Sequence, residues 1–458
     1  MNKVKIHFLG ASGTVTGSKF YLETPDVNVM IDCGMFQGLK ELREINWKPL
    51  PIDASKIDFV LLTHGHLDHT GYLPRLLKEG FKGKILGTAP TLDITRIILM
   101  DSGKIQEEQA QSANEEGYSK HSPALPFYTV KDAERTFTYF QSCKKEQWIS
   151  LSQNVRARFQ YNGHIIGATF IELEICGKVF VFSGDVGRSR DLLLCPPERP
   201  KWADYLFLES TYGNKLHPEE DVPEILSSLI KQTIQERGNL IIPSFAVERL
   251  QSLMYTLWVL FKKNKIPNIP IFVDSPMGNN VLSVFERFPT WHNVSIADYH
   301  AMMRHINIIS SYADTWKTID DPRPKIIIAG SGMVTGGRVL TYLQQMLDRT
   351  TTQVLLVGFQ AEGTRGRQLL DGAHELKIFG KYYPVKAKVH LLESLSAHAD
   401  QNELLYWTDA IENVPEKVFL IHGEPSALDA LRVKLKDTKG WNCQIPKQYE
   451  TIEIMNLS

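Results

Sequence analysis

Apolar and polar positions alternate in two different ways along this chain, and the change between them divides it. Up to residue 211 the apolar runs are short and end in polar or glycine-rich turns. That pattern predicts strands at Val4–Leu9, Lys19–Glu23, Asn28–Ile31, Phe59–Thr63, Phe170–Ile175, Val179–Phe182 and Tyr205–Leu208. The stretch from about Thr91 to Cys143 is mostly helical in composition. From residue 212 to 372, helices alternate with short, wholly apolar strands. A helix over Pro223–Arg237 carries Ile225, Leu226, Leu229, Ile230 and Ile234 on one face and stops at Gly238. Strand Leu240–Ile242, helix Glu248–Lys263, strand Ile271–Val273 and helix Asn279–Arg287 follow. After an irregular stretch come strand Ile326–Ala329, helix Gly337–Asp348 and strand Gln353–Val357. Apolar runs flanked by amphipathic helices indicate a parallel sheet covered on both faces, a doubly wound α/β domain. After residue 372 the hairpin-like pattern resumes, with strands at Ala387–Leu392 and Lys417–Ile421. The expected organisation is one domain over 1–211 and 373–458, with an α/β domain inserted at 212–372.

Composition narrows the class. At 458 residues, with 43% hydrophobic and 22% charged positions, the chain is that of a multidomain globular protein. No apolar run approaches the roughly 18 residues a membrane span requires, and the start alternates like a strand rather than a signal peptide. Five cysteines, none at CxxC spacing, argue against a disulfide framework or a thiolate metal site and fit a reducing cytoplasm. Lys plus Arg number 51 against 52 Asp plus Glu. Any nucleic acid must therefore be bound by a local basic cleft, because the global field gives no help.

The strongest chemical signal is Thr63-His64-Gly65-His66-Leu67-Asp68-His69, directly after the apolar run Phe59–Leu62. Residues i and i+2 at an extended strand end point to one side, so His64 and His66 can chelate one ion. Asp68 and His69 lie where the chain turns into a helix and can face a second ion. Imidazole and carboxylate donors without thiolate suit zinc ahead of manganese or iron. A chance H-x-H-x-D-H match is expected on the order of once per thousand such chains. The remaining donors should come from other strand ends: His164 in Asn162-Gly163-His164, Asp185 in Ser183-Gly184-Asp185, and His422 in Ile421-His422-Gly423. Each alone reads more readily as a turn residue, and becomes a candidate only beside the six-residue motif. Asp32, ending Val29-Met30-Ile31, is better placed to fix a histidine tautomer than to bind metal.

The order Asp32, His64-x-His66-x-Asp68-His69, His164, Asp185 resembles the successive motifs of the metallo-β-lactamase superfamily. The resemblance implies a four-layer αβ/βα sandwich. It also implies that His64, His66 and His164 hold a first metal, that Asp68, His69 and His422 hold a second, and that Asp185 bridges them. Leu208-Glu209-Ser210-Thr211-Tyr212-Gly213, Leu395-Ser396-Ala397-His398-Ala399-Asp400 and Ile421-His422-Gly423-Glu424 look like motifs A, B and C of the β-CASP group. That group includes bacterial and archaeal ribonucleases and the endonuclease subunit of the eukaryotic pre-mRNA 3′-end cleavage factor. The insertion falls between motifs A and B, as a β-CASP domain does, and a histidine at motif C goes with RNA rather than DNA. Two positions depart from the group's usual pattern: Glu248, where glycine often precedes the arginine, and Leu395, where phenylalanine is usual. Glu248 is expected to place negative charge near the phosphate path. No KH-like Gly-x-x-Gly segment precedes the first strand, so the expected type is the one without KH domains. The expected type also lacks the long C-terminal domain of the RNase J type.

The resemblance implies two zinc ions per chain and a hydroxide shared between them, with Asp68 among the catalytic residues. His398 is the candidate general acid for the departing 3′ oxygen, with Glu209 accepting from its other nitrogen. The glycine-rich turn containing Ser331, Gly332, Gly336, Gly337 and Arg338 is a candidate phosphate cradle, and Arg365 and Arg367 could line an RNA path. Cleavage is expected to be endonucleolytic, with 5′ exonucleolytic action also open. A homodimer stays open, and no membrane partner is expected. Three other readings share some of these features: a thioester or other ester hydrolase, a flavodiiron-type oxidoreductase, and a catalytically silent RNA-binding scaffold. The insertion, Glu209 and His398 are unnecessary for the first. The second would favour a carboxylate at His66, and the third typically loses ligands.

Overall fold

The computed structural model describes residues 3–116, 121–358, 360 and 362–454. Two compact units divide the chain. One comprises residues 1–190, 196–216 and 398–458, and the other residues 191–195 and 217–397.

The first unit is built on two seven-stranded sheets. Along the first sheet the strands run Thr451–Ile454, Val4–Phe8, Phe20–Glu23, Asn28–Ile31, Phe59–Leu61, Lys84–Thr88 and Phe140–Cys143. Along the second they run Cys443–Gln444, Lys417–Ile421, Tyr205–Glu209, Lys178–Phe182, Thr169–Ile175, Val155–Tyr161 and Ile149–Ser150. Alternating side chains explain the layering. Phe8, Phe20, Phe159, Phe182, Phe207 and Phe419 point into one shared core between the sheets, where Phe182 and Phe207 stack at 4.1 Å. The opposite face of the first sheet packs Leu62, Tyr72, Leu73, Leu92 and Leu99. That of the second packs Leu206 and Leu208 against Leu404, Trp407, Leu428 and Leu431. Helices thus cover both outer faces, giving the four-layer αβ/βα sandwich. The stretch expected to be mostly helical holds helices Ala89–Glu116 and Val130–Thr136, then the edge strand Phe140–Cys143.

In the second unit six strands pair in parallel in the order Asn307–Ile308, Ile271–Asp274, Lys325–Ala329, Asn239–Pro243, Thr352–Val357 and Lys388–Leu392. Lys325–Ala329 and Thr352–Val357 are buried at every position, as a sheet covered on both faces requires. Two details differ from expectation. The stretch expected to be irregular holds helices Ile296–His305 and Tyr312–Asp320, each capped by a serine side chain. The strand near Ala387–Leu392 extends the inserted sheet, pairing Leu355 with His390, so this compact unit continues to Ala397 rather than ending near 372. The hairpin Glu375–Ile378 and Lys381–Pro384 lies inside it. Among the described residues no helix is long and apolar enough to cross a membrane, and all five cysteines are free thiols.

Candidate active site

The first unit brings strand ends from both sheets to one place. Strand Phe59–Leu61 stops, the chain stays extended through His66 (φ −62°, ψ 153°), and the one-turn helix Leu67–Thr70 then swings Asp68 and His69 inward. The loop after Asn28–Ile31 lies against this turn. Cys33 N donates to the His69 carbonyl at 2.7 Å and Ser18 N to the Asp68 carbonyl at 2.8 Å. A side chain at Gly34 would place its Cβ 1.5 Å from the Asp68 carbonyl oxygen, so only glycine permits this approach. Lys19 braces the same loop from beneath. It is fully buried, its Nζ donates to the Gly34 carbonyl, and it lies 4.6 and 5.0 Å from the Phe36 and Tyr72 rings. Burial lowers its pKa to about 8.

The donor atoms form two sets. His64 Nε2 lies 3.1 Å from His66 Nδ1, which lies 3.2 Å from His164 Nε2. Asp185 Oδ2 is 3.5 Å from both His64 Nε2 and His164 Nε2. In the second set His69 Nε2 is 3.2 Å from His422 Nε2, and Asp68 Oδ2 is 3.4 and 3.8 Å from His422 Nε2 and His69 Nε2. Asp185 Oδ1 is 3.3 Å from His69 Nε2. Tetrahedral zinc with ligands about 2.0–2.1 Å away separates those ligands by about 3.3 Å, so both sets have the spacing of a coordination shell. The two oxygens of Asp185 serve one set each. Asp185 Oδ1 is buried and makes no hydrogen bond, an arrangement that a cation would satisfy. The residues present fit two metal ions.

Outer partners fix which nitrogens face inward. His69 Nδ1 donates to Asp32 Oδ2 at 2.8 Å, and Asp32 also accepts from the amide and hydroxyl of Thr63, both at 2.8 Å. Asn162 Nδ2 donates to the carbonyls of Ser183 and Asp185, each at 2.6 Å, and so fixes the turn that presents Asp185. Burial drives His64 well below the usual imidazole range and His66 down to about 4, which leaves both neutral with lone pairs to offer. At His69 burial is opposed and overcome by Asp185, Asp32 and Asp68, and its pKa lies well above the usual value. Burial opposes ionisation of Asp185 too, but the surrounding imidazoles His422, His69 and His64 outweigh it and hold the carboxyl well below the ordinary range.

Beside these sets, Glu209 is fully buried at the end of strand Tyr205–Glu209. Its Oε1 accepts from Val186 N at 2.7 Å and lies 3.3 Å from His398 Nδ1. His398 keeps 22% of its side chain exposed, and its ring sits 4.5 Å from that of His164. Burial disfavours the imidazolium, but Glu209, then Asp185 and Asp68, more than compensate, and the His398 pKa is raised.

The second unit treats its candidate residues differently. Ser331 Oγ accepts from the amides of Thr335 and Gly336, while Ser331 N and Val339 N donate to the carbonyls of Gly336 and Gly330. Gly332 backs onto the Phe245 ring, and Gly337, at φ 72°, onto the Gly330 carbonyl. Arg338 donates to Thr315 Oγ1 at 2.7 Å and lies over the Tyr312 ring. Arg365 binds the carbonyls of Lys377, Val334 and Thr335, and Arg367 pairs with Asp371 at 2.9 Å. Glu248 is buried, at φ 67°, just ahead of helix Arg249–Lys262, so it adds no exposed negative charge.

Three family profiles match successive parts of the chain. The metallo-β-lactamase superfamily matches residues 13–109, the Beta-Casp domain 250–369, and the Zn-dependent metallo-hydrolase RNA specificity domain 382–446. Ribonuclease TTHA0252 of Thermus thermophilus is 33% identical to this chain, over 92% of this chain and 94% of its own length. The chain belongs to the β-CASP ribonucleases of the metallo-β-lactamase superfamily. An RNase J-like protein of Methanocaldococcus jannaschii is 32% identical over 92% of this chain and 93% of its own. The transcription termination factor FttA of the same organism is 27% identical, over 92% of this chain and 67% of its own. A crystal structure of a protein of unknown function from Enterococcus faecalis shares the fold, with a TM-score of 0.55 at 13% identity over 99% of this chain and all of its own. For a β-CASP member, Asp32, His64, His66, Asp68 and His69 fall inside one matched segment and His398 and His422 inside another. His164, Asp185 and Glu209 lie between them. The chain is a metal-dependent hydrolase.

Thr63 and Thr211, whose hydroxyls touch His64 and His422 at 3.1 Å, escaped the sequence reading of the site. Their only signal was adjacency to motif residues.

Proposed function

We propose that this protein hydrolyses RNA phosphodiester bonds with two zinc ions bound, one by His64, His66 and His164, the other by Asp68, His69 and His422, with Asp185 shared. The reading is carried by the convergence of two donor sets on the opposite oxygens of Asp185. Bound zinc supplies a nucleophile at neutral pH and offsets phosphate charge. The chain's own residues do the rest. Asp32 and Thr63 hold donor nitrogens inward. His398 gives its proton to the departing 3′ oxygen, while Glu209 binds the opposite ring nitrogen and favours the charged form. In the inserted unit Arg367 is the readiest phosphate contact, because its exposed pair with Asp371 is weak and exchangeable. Arg338 and Arg365 are engaged in holding their turn, whose Ser331 hydroxyl takes up two of its amides.

Zinc-loaded protein incubated with RNA labelled at the 5′ or the 3′ end tests this. Internal fragments from both labels indicate endonucleolytic cutting; released 5′ mononucleotide indicates exonucleolytic action. Intact RNA from protein holding both ions would favour the silent scaffold, and hydrolysis confined to thioesters the other hydrolase reading.

A further inference from the structure

Thr211 stands between the two halves of this chemistry. Its amide donates to Glu209 Oε2 at 3.1 Å. Its side-chain oxygen lies 3.1 Å from His422 Nδ1 and 3.3 Å from the His422 carbonyl oxygen. The carbonyl can only accept, so the hydroxyl proton belongs there and the hydroxyl lone pairs face the ring. Nδ1 must then carry the imidazole proton, and Nε2 is left with its lone pair. Nε2 is the atom that faces His69 and Asp68.

The backbone adds a second reason for a clamp here. His422 sits at φ 50°, a left-handed conformation that costs a histidine energy. Its amide is held by the Ala11 carbonyl at 2.7 Å and its carbonyl by Ser210 N at 3.1 Å. The Thr211 hydroxyl touches both this backbone and the ring. The same logic recurs across the site, where Thr63 donates to Asp32 Oδ2 and faces His64 Nδ1.

We propose that Thr211 is a positioning residue whose hydroxyl fixes the tautomer and ring direction of His422, and thereby sets the affinity of the second metal. The inference rests on His422 being a ligand. Zinc titrated against a chromophoric chelator should show Thr211→Val weakening one of the two ions by about 10- to 100-fold, the usual effect of losing an outer partner. Thr211→Ser, which keeps the hydroxyl, should restore wild-type affinity. In zinc-stripped, nitrogen-15-labelled protein, the Nδ1-protonated signature of His422 should be clear in wild type and mixed in Thr211→Val. Should the valine variant not fold, Thr211→Ala carries the same expectations. Wild-type affinity for both ions in Thr211→Val, or an unchanged tautomer, overturns the inference. His422→Ala separates the two levels of the argument. If it retains both ions, the ligand reading itself is wrong; if it loses one while Thr211→Val loses none, only the role of Thr211 falls.

Discussion

The metal-facing strand ends of the first unit and the Ser331–Arg338 turn of the second are both polar, both built on glycines, and both at the carboxyl ends of strands. They differ in where their lone pairs go. In the turn, donors meet acceptors: Ser331 Oγ takes two amides, Arg365 takes two carbonyls, and Arg338 takes a hydroxyl. Around Asp185, lone pairs crowd together, with His66 Nδ1 3.1 Å from His64 Nε2 and 3.2 Å from His164 Nε2 and a buried oxygen without a hydrogen bond. A chain folds into the second arrangement only against its own electrostatics, and a cation relieves it. Polarity and glycine mark both places; frustration distinguishes the one built for a ligand.

The largest effect that could break this contrast is at Asp185. Asp185→Ala should lose more than half of the bound zinc, measured by metal analysis, and with it essentially all RNA cleavage; full occupancy would refute the shared-carboxylate assignment. Next, His398→Ala should keep both metals and RNA affinity while cleavage falls about 10²–10⁴-fold. Hydrolysis of bis-p-nitrophenyl phosphate, whose leaving group needs no proton, should suffer far less, and Glu209→Gln should show the same pattern more mildly. Loss of a metal in His398→Ala, or equal damage to both substrates, would remove it as the acid.

Smaller effects sharpen the comparison. Between pH 8 and the ordinary lysine value near 10.5 the unfolded chain holds the Lys19 proton and the folded chain does not. The contribution of Lys19 to stability therefore rises across that window, by about 3 kcal/mol at most. Denaturant unfolding of wild type against Lys19→Met should show the difference between them growing with pH, and a constant difference would contradict it. In the turn, Ser331→Ala should cost about 1 kcal/mol of stability through its unmet amides yet leave RNA affinity unchanged. A fall in affinity would make the turn a phosphate cradle after all. Smallest of all, Arg367→Ala should lower the slope of log affinity against log salt by about 1.

How much of this was legible in the sequence depended on range. Phe59–Leu62 followed by His-x-His-x-Asp-His is a local statement, and strand, turn and donor spacing could all be read from it. The sheet that receives Lys388–Leu392 is not legible, because apolar alternation reports that a strand exists, not where it pairs. Its pairing with Thr352–Val357 is a tertiary fact. Helices Ile296–His305 and Tyr312–Asp320 bury only two and three residues respectively, too few to stamp a clear period on the sequence. Glu248 looked like surface charge because nothing in a glutamate's neighbours announces burial. Thr63 and Thr211 carry no such signal, because a hydroxyl beside a candidate ligand looks like any other turn residue in sequence.

The chain order of the donors also imposes a timetable on synthesis. His64, His66, His164 and Asp185 all precede the inserted unit, whereas His422 follows it, more than 350 positions beyond the Asp68 it meets. The strand Thr451–Ile454 that pairs with the initial strand Val4–Phe8 is made later still. A ribosome part-way through this message carries a chain with one complete donor set and two of the three residues of the other. On the reading proposed here, such an intermediate could take up one ion while remaining unable to cut RNA. The enzyme would become active only after its own template has been read past His422.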